Sequence, residues 1–211
     1  PDTKWKINEL GKGWVLGETL ITGIGQGYTQ TTPIQLCLMT AQIANGGYKI
    51  KPKILTDDNQ LTSEQVKKAI QLSEENYTYI PLFNDKKNIK IIQEAMFSST
   101  NELYGTSYKS RIDDPKYQFA GKTGTAQVKR ISKRERELDL KTFQIPYEER
   151  DHALYVAFGP YKNPRYSLSI IVEHGGSGSS AAAPMATKLF KLIVDRHQHR
   201  KQLPDYKEFN I

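Results

Sequence analysis

Hydrophobic and polar positions follow a helical spacing in the first half of this chain and give way to strand-like apolar runs in the second. Between Thr32 and Asn45 the apolar residues Ile34, Leu36, Cys37, Leu38, Met39, Ala41, Ile43 and Ala44 run almost all round a helix, which predicts a buried one. Thr32 fits the N-cap, Pro33 the first helical position, and Gln35 completes a capping box. Asn45-Gly46-Gly47 stops the helix, since these residues accept positive φ. A second helical pattern follows Asn84 or Asp85, either of which can cap it. Ile89, Ile92, Met96 and Leu103 fall at helical spacing with Ala95 beside them, and Gly105 marks the end.

After a turn over 111–116, centred on Asp114-Pro115, the helical spacing ends, and the run over 166–173 is almost continuously apolar. Segments 117–128, 153–158 and 166–173 read as strands. The last two are joined by Gly159-Pro160 and a turn over 162–165, which predicts an antiparallel hairpin. Helical spacing returns after Ser180, a candidate cap, with Pro184 tolerated in a first turn whose amides are unpaired. Ala182, Ala186, Leu189, Phe190, Ile193 and His197 make one face, suited to lying across a sheet.

The remaining stretches read as connections. Residues 1–17 look polar and irregular, with Trp5 and Trp14 as anchors. Gly23, Gly25 and Gly27 are spaced G-x-G-x-G, not the G-x-G-x-x-G of a dinucleotide site, so a tight loop where chain segments pass closely is expected. Residues 48–52 alternate like a short edge strand ended by Pro52. Residues 56–79 are polar, with one short helix expected over 63–70. Residues 129–152 carry seven Lys or Arg and six Asp or Glu, which fits a solvated excursion between strands; its length also fits a lid or docking surface. Residues 175–179 read as a flexible link.

Composition narrows the picture modestly. The net charge of +7 allows an anionic partner, but charges of both signs are interspersed, which disfavours nucleic acid. No apolar run approaches the roughly 18 residues of a membrane-spanning helix. The chain opens on Pro1 rather than Met, which fits a processed or excised segment. Cys37 is the sole cysteine, so no internal disulfide forms, and its place in an apolar helix fits a structural thiol. His152, His174, His197 and His199 make no ligand pattern with Cys37, so neither metal nor cofactor is expected.

The candidate chemistry sits in Phe119-Ala120-Gly121-Lys122-Thr123-Gly124-Thr125-Ala126-Gln127-Val128. Lys122 is a fixed cation. Thr123 and Thr125 are two apart, so on a strand their hydroxyls share a face, with Lys122 and Gly124 on the other. Gly121 and Gly124 let another backbone or a ligand come close. Amides, hydroxyls and a cation suit a carboxylate or amide carbonyl. A glycine-containing core strand with one exposed lysine accounts for the same residues.

Taken in order, the string from Trp14 to Tyr28, then Thr32-Pro33-Ile34-Gln35, Gly121–Gln127, Arg150-Asp151-His152, Ala157–Tyr161 and Glu173–Gly178 resembles the C-terminal part of the transpeptidase domain of class B penicillin-binding proteins, within them the elongation-specific penicillin-binding protein 2 branch. The resemblance runs from about Trp5 to about Val194. It implies an α+β fold of the β-lactamase/transpeptidase type, an antiparallel sheet flanked by helices with the earlier part of the domain outside this chain. Residues 1–116 would be the mostly helical and loop part, 117–196 the strands and C-terminal helix, and 197–211 a tail. A sheet edge left exposed would favour self-association.

The resemblance further implies a serine-type peptidoglycan D,D-transpeptidase that cross-links stem peptides in cell elongation and is acylated by β-lactams. Lys122, Thr123, Gly124 and Thr125 would bind substrate, with Lys122 and the Thr125 backbone N–H, an oxyanion donor, as catalytic groups. Implied partners are stem peptides, β-lactams, a membrane glycan polymerase, elongation-complex proteins and the rest of the domain. The implied location is the inner membrane with the domain in the periplasm. One departure stands out: no serine is followed by lysine three residues on, so the S-x-x-K nucleophile is absent and the chain alone is expected to be inactive. Ser99-Thr100-Asn101 spells S-x-N but follows the glycine loop instead of preceding it, so it is not expected to be the catalytic cluster. A non-catalytic β-lactam-sensing receptor, or a basic module for anionic polymers, remains the alternative.

Overall fold

The computed structural model describes residues 1–52, 80–82, 85–129, 137 and 140–202. The helix expected over 63–70 lies outside them. Helices α1 (Thr3–Leu10), α2 (Leu16–Gly23), α3 (Pro33–Ala44) and α4 (Lys86–Asn101) precede strands β1 (Ala120–Ala126), β2 (His152–Gly159) and β3 (Tyr166–Val172), and helix α5 (Ala183–Lys201) follows. The strands form an antiparallel sheet in the order β1-β2-β3, antiparallel as the hairpin and the resemblance implied.

The sheet is covered on both faces, and β2 shows how. Ala153, Tyr155 and Ala157 pack with Phe119, Leu168, Ala182, Ala183, Ala186 and Phe190, so α5 covers this face. Phe119 and Phe190 stack at 4.8 Å. On the other face, Val156 and Phe158 join Ala120, Met96, Phe97, Ile43 and Ala44 from α3 and α4. Two-sided burial explains the near-continuous apolar run of the hairpin strands.

Thr32 caps α3 through the Gln35 amide at 3.3 Å, and the Gln35 side chain returns the bond at 2.8 Å. The helix is not buried all round, however. Cys37 meets Ser167 of β3 at 3.2 Å, and only Thr40 is fully buried, while Ile34 is 64% and Met39 44% exposed. Its remaining faces have no layer against them among the described residues. Asp85 caps α4 through the Lys87 amide, as expected. That helix ends at Asn101, so Leu103 lies beyond it and is exposed; Ile89 and Met96 carry the burial while Ile92 stays partly exposed.

Other expectations need correction. Residues 3–10 are helical, with Asp2 accepting from the Trp5 amide at 2.7 Å. Lys6, nine-tenths and more buried, anchors this segment: it donates to Gly13 O at 2.8 Å and pairs with Glu18. The Lys6 hydrogen bond, followed by that from the Val15 amide, holds the Glu18 carboxyl below its ordinary range. Trp5 meets Tyr28 at 5.4 Å, and Trp14 donates to Thr19, so both tryptophans make their contacts within the first 28 residues. In the glycine loop, Gly25 and Gly27 both have φ of 75, and a Cβ on Gly25 would meet nothing within 4 Å; backbone conformation, not close approach, demands that glycine. Residues 48–52 make one bridge, Tyr48 to Pro81, instead of a strand.

The expected flexible link at 175–179 is pinned instead. The Gly176 amide donates to Asp151 O at 2.8 Å, and helical structure begins at a π-turn, Gly178–Ala182. The Ala183 amide reaches back to Gly178 O. This wide turn precedes Pro184, which has no amide to give and whose ring crowds the preceding turn. On α5 the buried line is Ala183, Ala186, Phe190 and Val194; Leu189 is partly exposed, and the His197 side chain lies outside the described set.

Two expectations can be measured. A Cβ on Gly121 would lie 2.5 Å from Tyr155 Cζ, whereas one on Gly124 would lie 3.3 Å from Leu154 Cβ. Gly121→Ala should therefore lower the urea unfolding free energy by about 1–3 kcal/mol, and Gly124→Ala by less. Asp195 accepts from Tyr117 and Lys116 at 2.6 and 2.9 Å, and these bonds, Tyr117's first, depress its carboxyl pKa. A depressed carboxyl stabilises the fold above its unfolded pKa of about 3.9 and loses that contribution as pH falls through the lower folded value. The urea midpoint should fall with acidification through this range, and less steeply in Asp195→Asn.

Candidate active site

The strand β1 stands at one edge of the described sheet, paired on one side only: Lys122 with Val156, Thr123 with Tyr155, Gly124 with Leu154 and Thr125 with Ala153. Directly paired residues share a face. Thr123 and Thr125 therefore lie with Tyr155 and Ala153, and Lys122 and Gly124 with Val156 and Leu154, as the period of two implied. On an antiparallel edge, alternate amides point away from the partner strand and are open to a ligand.

The side chains on this edge are available. Lys122 is exposed, and its Nζ donates to Thr123 O at 2.8 Å. Thr125 is exposed and Thr123 half-buried. The reading of β1 as a plain core strand holds only for its first residues: Ala120 and Gly121 are buried and the rest emerge. The described strand is also shorter than 117–128. A cation, two hydroxyls and edge amides within four residues can hold a carboxylate and polarise a carbonyl.

What fixes this edge lies behind it. Tyr155 is fully buried, and its hydroxyl meets Thr100 Oγ1 at 2.9 Å and Ser107 Oγ at 3.1 Å. Burial pushes the phenol pKa up, against the lowering effect of the Ser107 and Thr100 bonds, so it stays a protonated structural group. Asn101 donates to Phe119 O at 2.9 Å and Phe97 O at 3.0 Å, tying α4 to the start of β1. The S-x-N string at 99–101 thus has a structural asparagine. Gly178 lies against the strand further along: a Cβ there would sit 2.6 Å from Gly124 O.

The far end of β1 is closed by the segment before β2. Asp151 accepts from the Val128 amide at 3.3 Å, and the His174 amide donates to His152 Nδ1 at 2.9 Å. His174 holds φ of 54, in the left-handed region that non-glycine residues seldom adopt. Tyr147 packs on His174 at 5.0 Å, and Lys129 pairs with Glu149 at 2.6 Å. The described part of the 129–152 excursion is docked on the sheet end, beyond the purely solvated loop that charge alone implied. Among the described residues no three His, Cys, Asp or Glu side chains form a possible metal cluster.

Sequence reasoning passed over Thr100, Ser107 and Tyr155. A signal was present, since a tyrosine in an apolar strand needs a hydrogen-bond partner, but its identity needs the fold.

The chain is similar to several known proteins. A family model described as the penicillin binding protein transpeptidase domain matches residues 3–191. The peptidoglycan D,D-transpeptidase MrdA of Haemophilus influenzae is 30% identical, over 100% of this chain and 30% of that protein. A Helicobacter pylori penicillin-binding protein, PBP2, solved in complex with MreC, superposes with TM-score 0.68 at 30% identity, covering 94% of this chain and 31% of that one. Pseudomonas aeruginosa PBP2, solved in complex with WCK 5153, gives TM-score 0.65 at 35% identity over 90% of this chain and 36% of that one. The chain thus spans about a third of the length of these relatives, and the three-stranded sheet with its helices is part of a transpeptidase/β-lactamase-like fold. With the family model matching most of its length, the chain belongs to the penicillin-binding protein transpeptidase domain family.

Proposed function

We propose that this segment supplies the carboxylate-binding wall of a peptidoglycan D,D-transpeptidase whose serine nucleophile lies outside it. The observation that supports this most is the edge strand with Lys122 and Thr125 exposed, in a chain that has no S-x-x-K serine.

In this reading the Lys122 ammonium attracts the terminal carboxylate of a D-Ala-D-Ala stem peptide, or the matching carboxylate of a β-lactam. The Thr123 and Thr125 hydroxyls donate to it, and Gly124 lets the peptide backbone approach. The Thr125 backbone N–H is one of two donors to the oxyanion formed when the serine attacks, the other being the serine's own N–H. One such donor is worth about 2.7–4 kcal/mol of barrier. The acyl group then passes to an amine on a neighbouring stem peptide. By kinship with penicillin-binding protein 2, the whole protein acts in cell elongation, anchored in the inner membrane with this domain in the periplasm. Its partners are then a membrane glycan polymerase and elongation-complex proteins such as MreC, with which the Helicobacter relative was solved. No helix among the described residues is long and apolar enough to cross a membrane.

Fluorescent penicillin followed by denaturing electrophoresis tests the reading. The complete protein that carries this segment should be labelled, and Lys122→Ala should slow labelling by about 10²-fold, the size of effect seen on losing one preorganised donor. The 24.0 kDa chain alone should stay dark. A labelled band at that mass contradicts the assignment of the nucleophile.

A further inference from the structure

The loop after α4 holds a hydroxyl that the reading above leaves unused. Thr106 Oγ1 lies 3.2 Å from Thr123 Oγ1 and 3.3 Å from Ser99 Oγ, so three hydroxyls form a chain ending on the Lys-Thr-Gly strand. The two side chains are 17 residues apart, and the loop brings them together by tight constraints on both sides of Thr106. Before it, Gly105 presses on the end of α4: a Cβ there would stand 2.5 Å from Ser98 O and closer still to Ser99 O. After it, Ser107 is buried, with its amide and hydroxyl both donating to Ser99 O at 3.0 Å and its hydroxyl meeting Tyr155. Thr106 is exposed, but its backbone is fixed on both sides.

We propose that Thr106 is a positioning residue for substrate recognition: it donates to Thr123 Oγ1 and so turns the Thr123 proton toward the substrate carboxylate. This rests on the reading of Thr123 as a carboxylate ligand. A carboxylate only accepts, so Thr123 must give its single hydroxyl proton to it. Thr123 oxygen is then left to accept, and among the described residues Thr106 Oγ1 stands within hydrogen-bond reach to donate. Thr106 oxygen accepts in turn from Ser99. The direction of the chain is set by its anionic end, and each bond polarises the next. Ser99 acquires a role here that differs from the S-x-N serine its spelling resembles: it ends a supporting chain behind the strand.

The test measures the acylation rate constant of the complete protein that carries this segment, with benzylpenicillin and with its methyl ester, which keeps the β-lactam ring and lacks the carboxylate. Thr106→Val keeps shape and removes the donor, and should lower the rate with benzylpenicillin by about 3- to 10-fold, the range for one net hydrogen bond. With the ester it should change little. Thr106→Ser restores the hydroxyl and should restore the rate. Thr106→Val should add nothing further in a Thr123→Val background. An equal drop with acid and ester, or no recovery in Thr106→Ser, overturns the proposal in favour of a general packing role. An unchanged rate with benzylpenicillin overturns it outright. Failure of the parent protein to react with benzylpenicillin overturns the transpeptidase reading, and this inference with it.

Discussion

The Tyr155 hydroxyl is the point on which the rest of this structure depends. It is buried under the Lys-Thr-Gly strand and joins α4, through Thr100, to the following loop, through Ser107. A buried phenol without partners is costly, so the hub ties the position of β2 to that of α4. It also dictates the residue above it. Gly121 has no Cβ because the phenol ring occupies that space. The first glycine of the motif is thus explained by packing, one residue before the chemistry begins.

The exposed part of β1 inherits its geometry from this arrangement. Asn101 holds the carbonyl of Phe119, Gly178 backs Gly124, and Asp151 takes the amide of Val128. Contacts therefore grip the strand at its start, middle and end, while the Lys122 and Thr125 side chains are exposed. A rigid strand with an open polar edge suits electrostatic recognition, because donors already in place need no reorganisation when a carboxylate arrives. The α5 helix completes the support from below through Ala183, Ala186 and Phe190, with the wide turn before Pro184 setting where it starts.

Much of this was legible in the residues. Thr32 and Asp85 announced two helices, because capping is local chemistry within three or four residues. Apolar runs bounded by turn residues announced three strands and a hairpin, and the order of motifs pointed to the family. Long-range contacts were not legible. The link at 175–179 looked flexible because glycines and serines permit flexibility; packing against β1 and the bond to Asp151 remove it. The α3 helix looked buried because its composition is apolar all round, yet composition does not say how many layers cover it. At α4, Leu103 kept the helical spacing although the helix had ended at Asn101, and there the loop that carries Thr106 begins. The pairing of Thr106 with Thr123 depends on two close approaches that no spacing rule encodes.

The central claim is a division of labour: these residues hold the carboxylate, and a serine elsewhere in the protein takes the acyl group. Peptide mapping by mass spectrometry of the penicillin adduct on the complete protein addresses it directly. The account predicts that the modified serine lies in an S-x-x-K sequence outside residues 1–211, and that Lys122→Ala lowers the yield of that adduct without moving it. An adduct on any serine within this chain, Ser99 included, contradicts it.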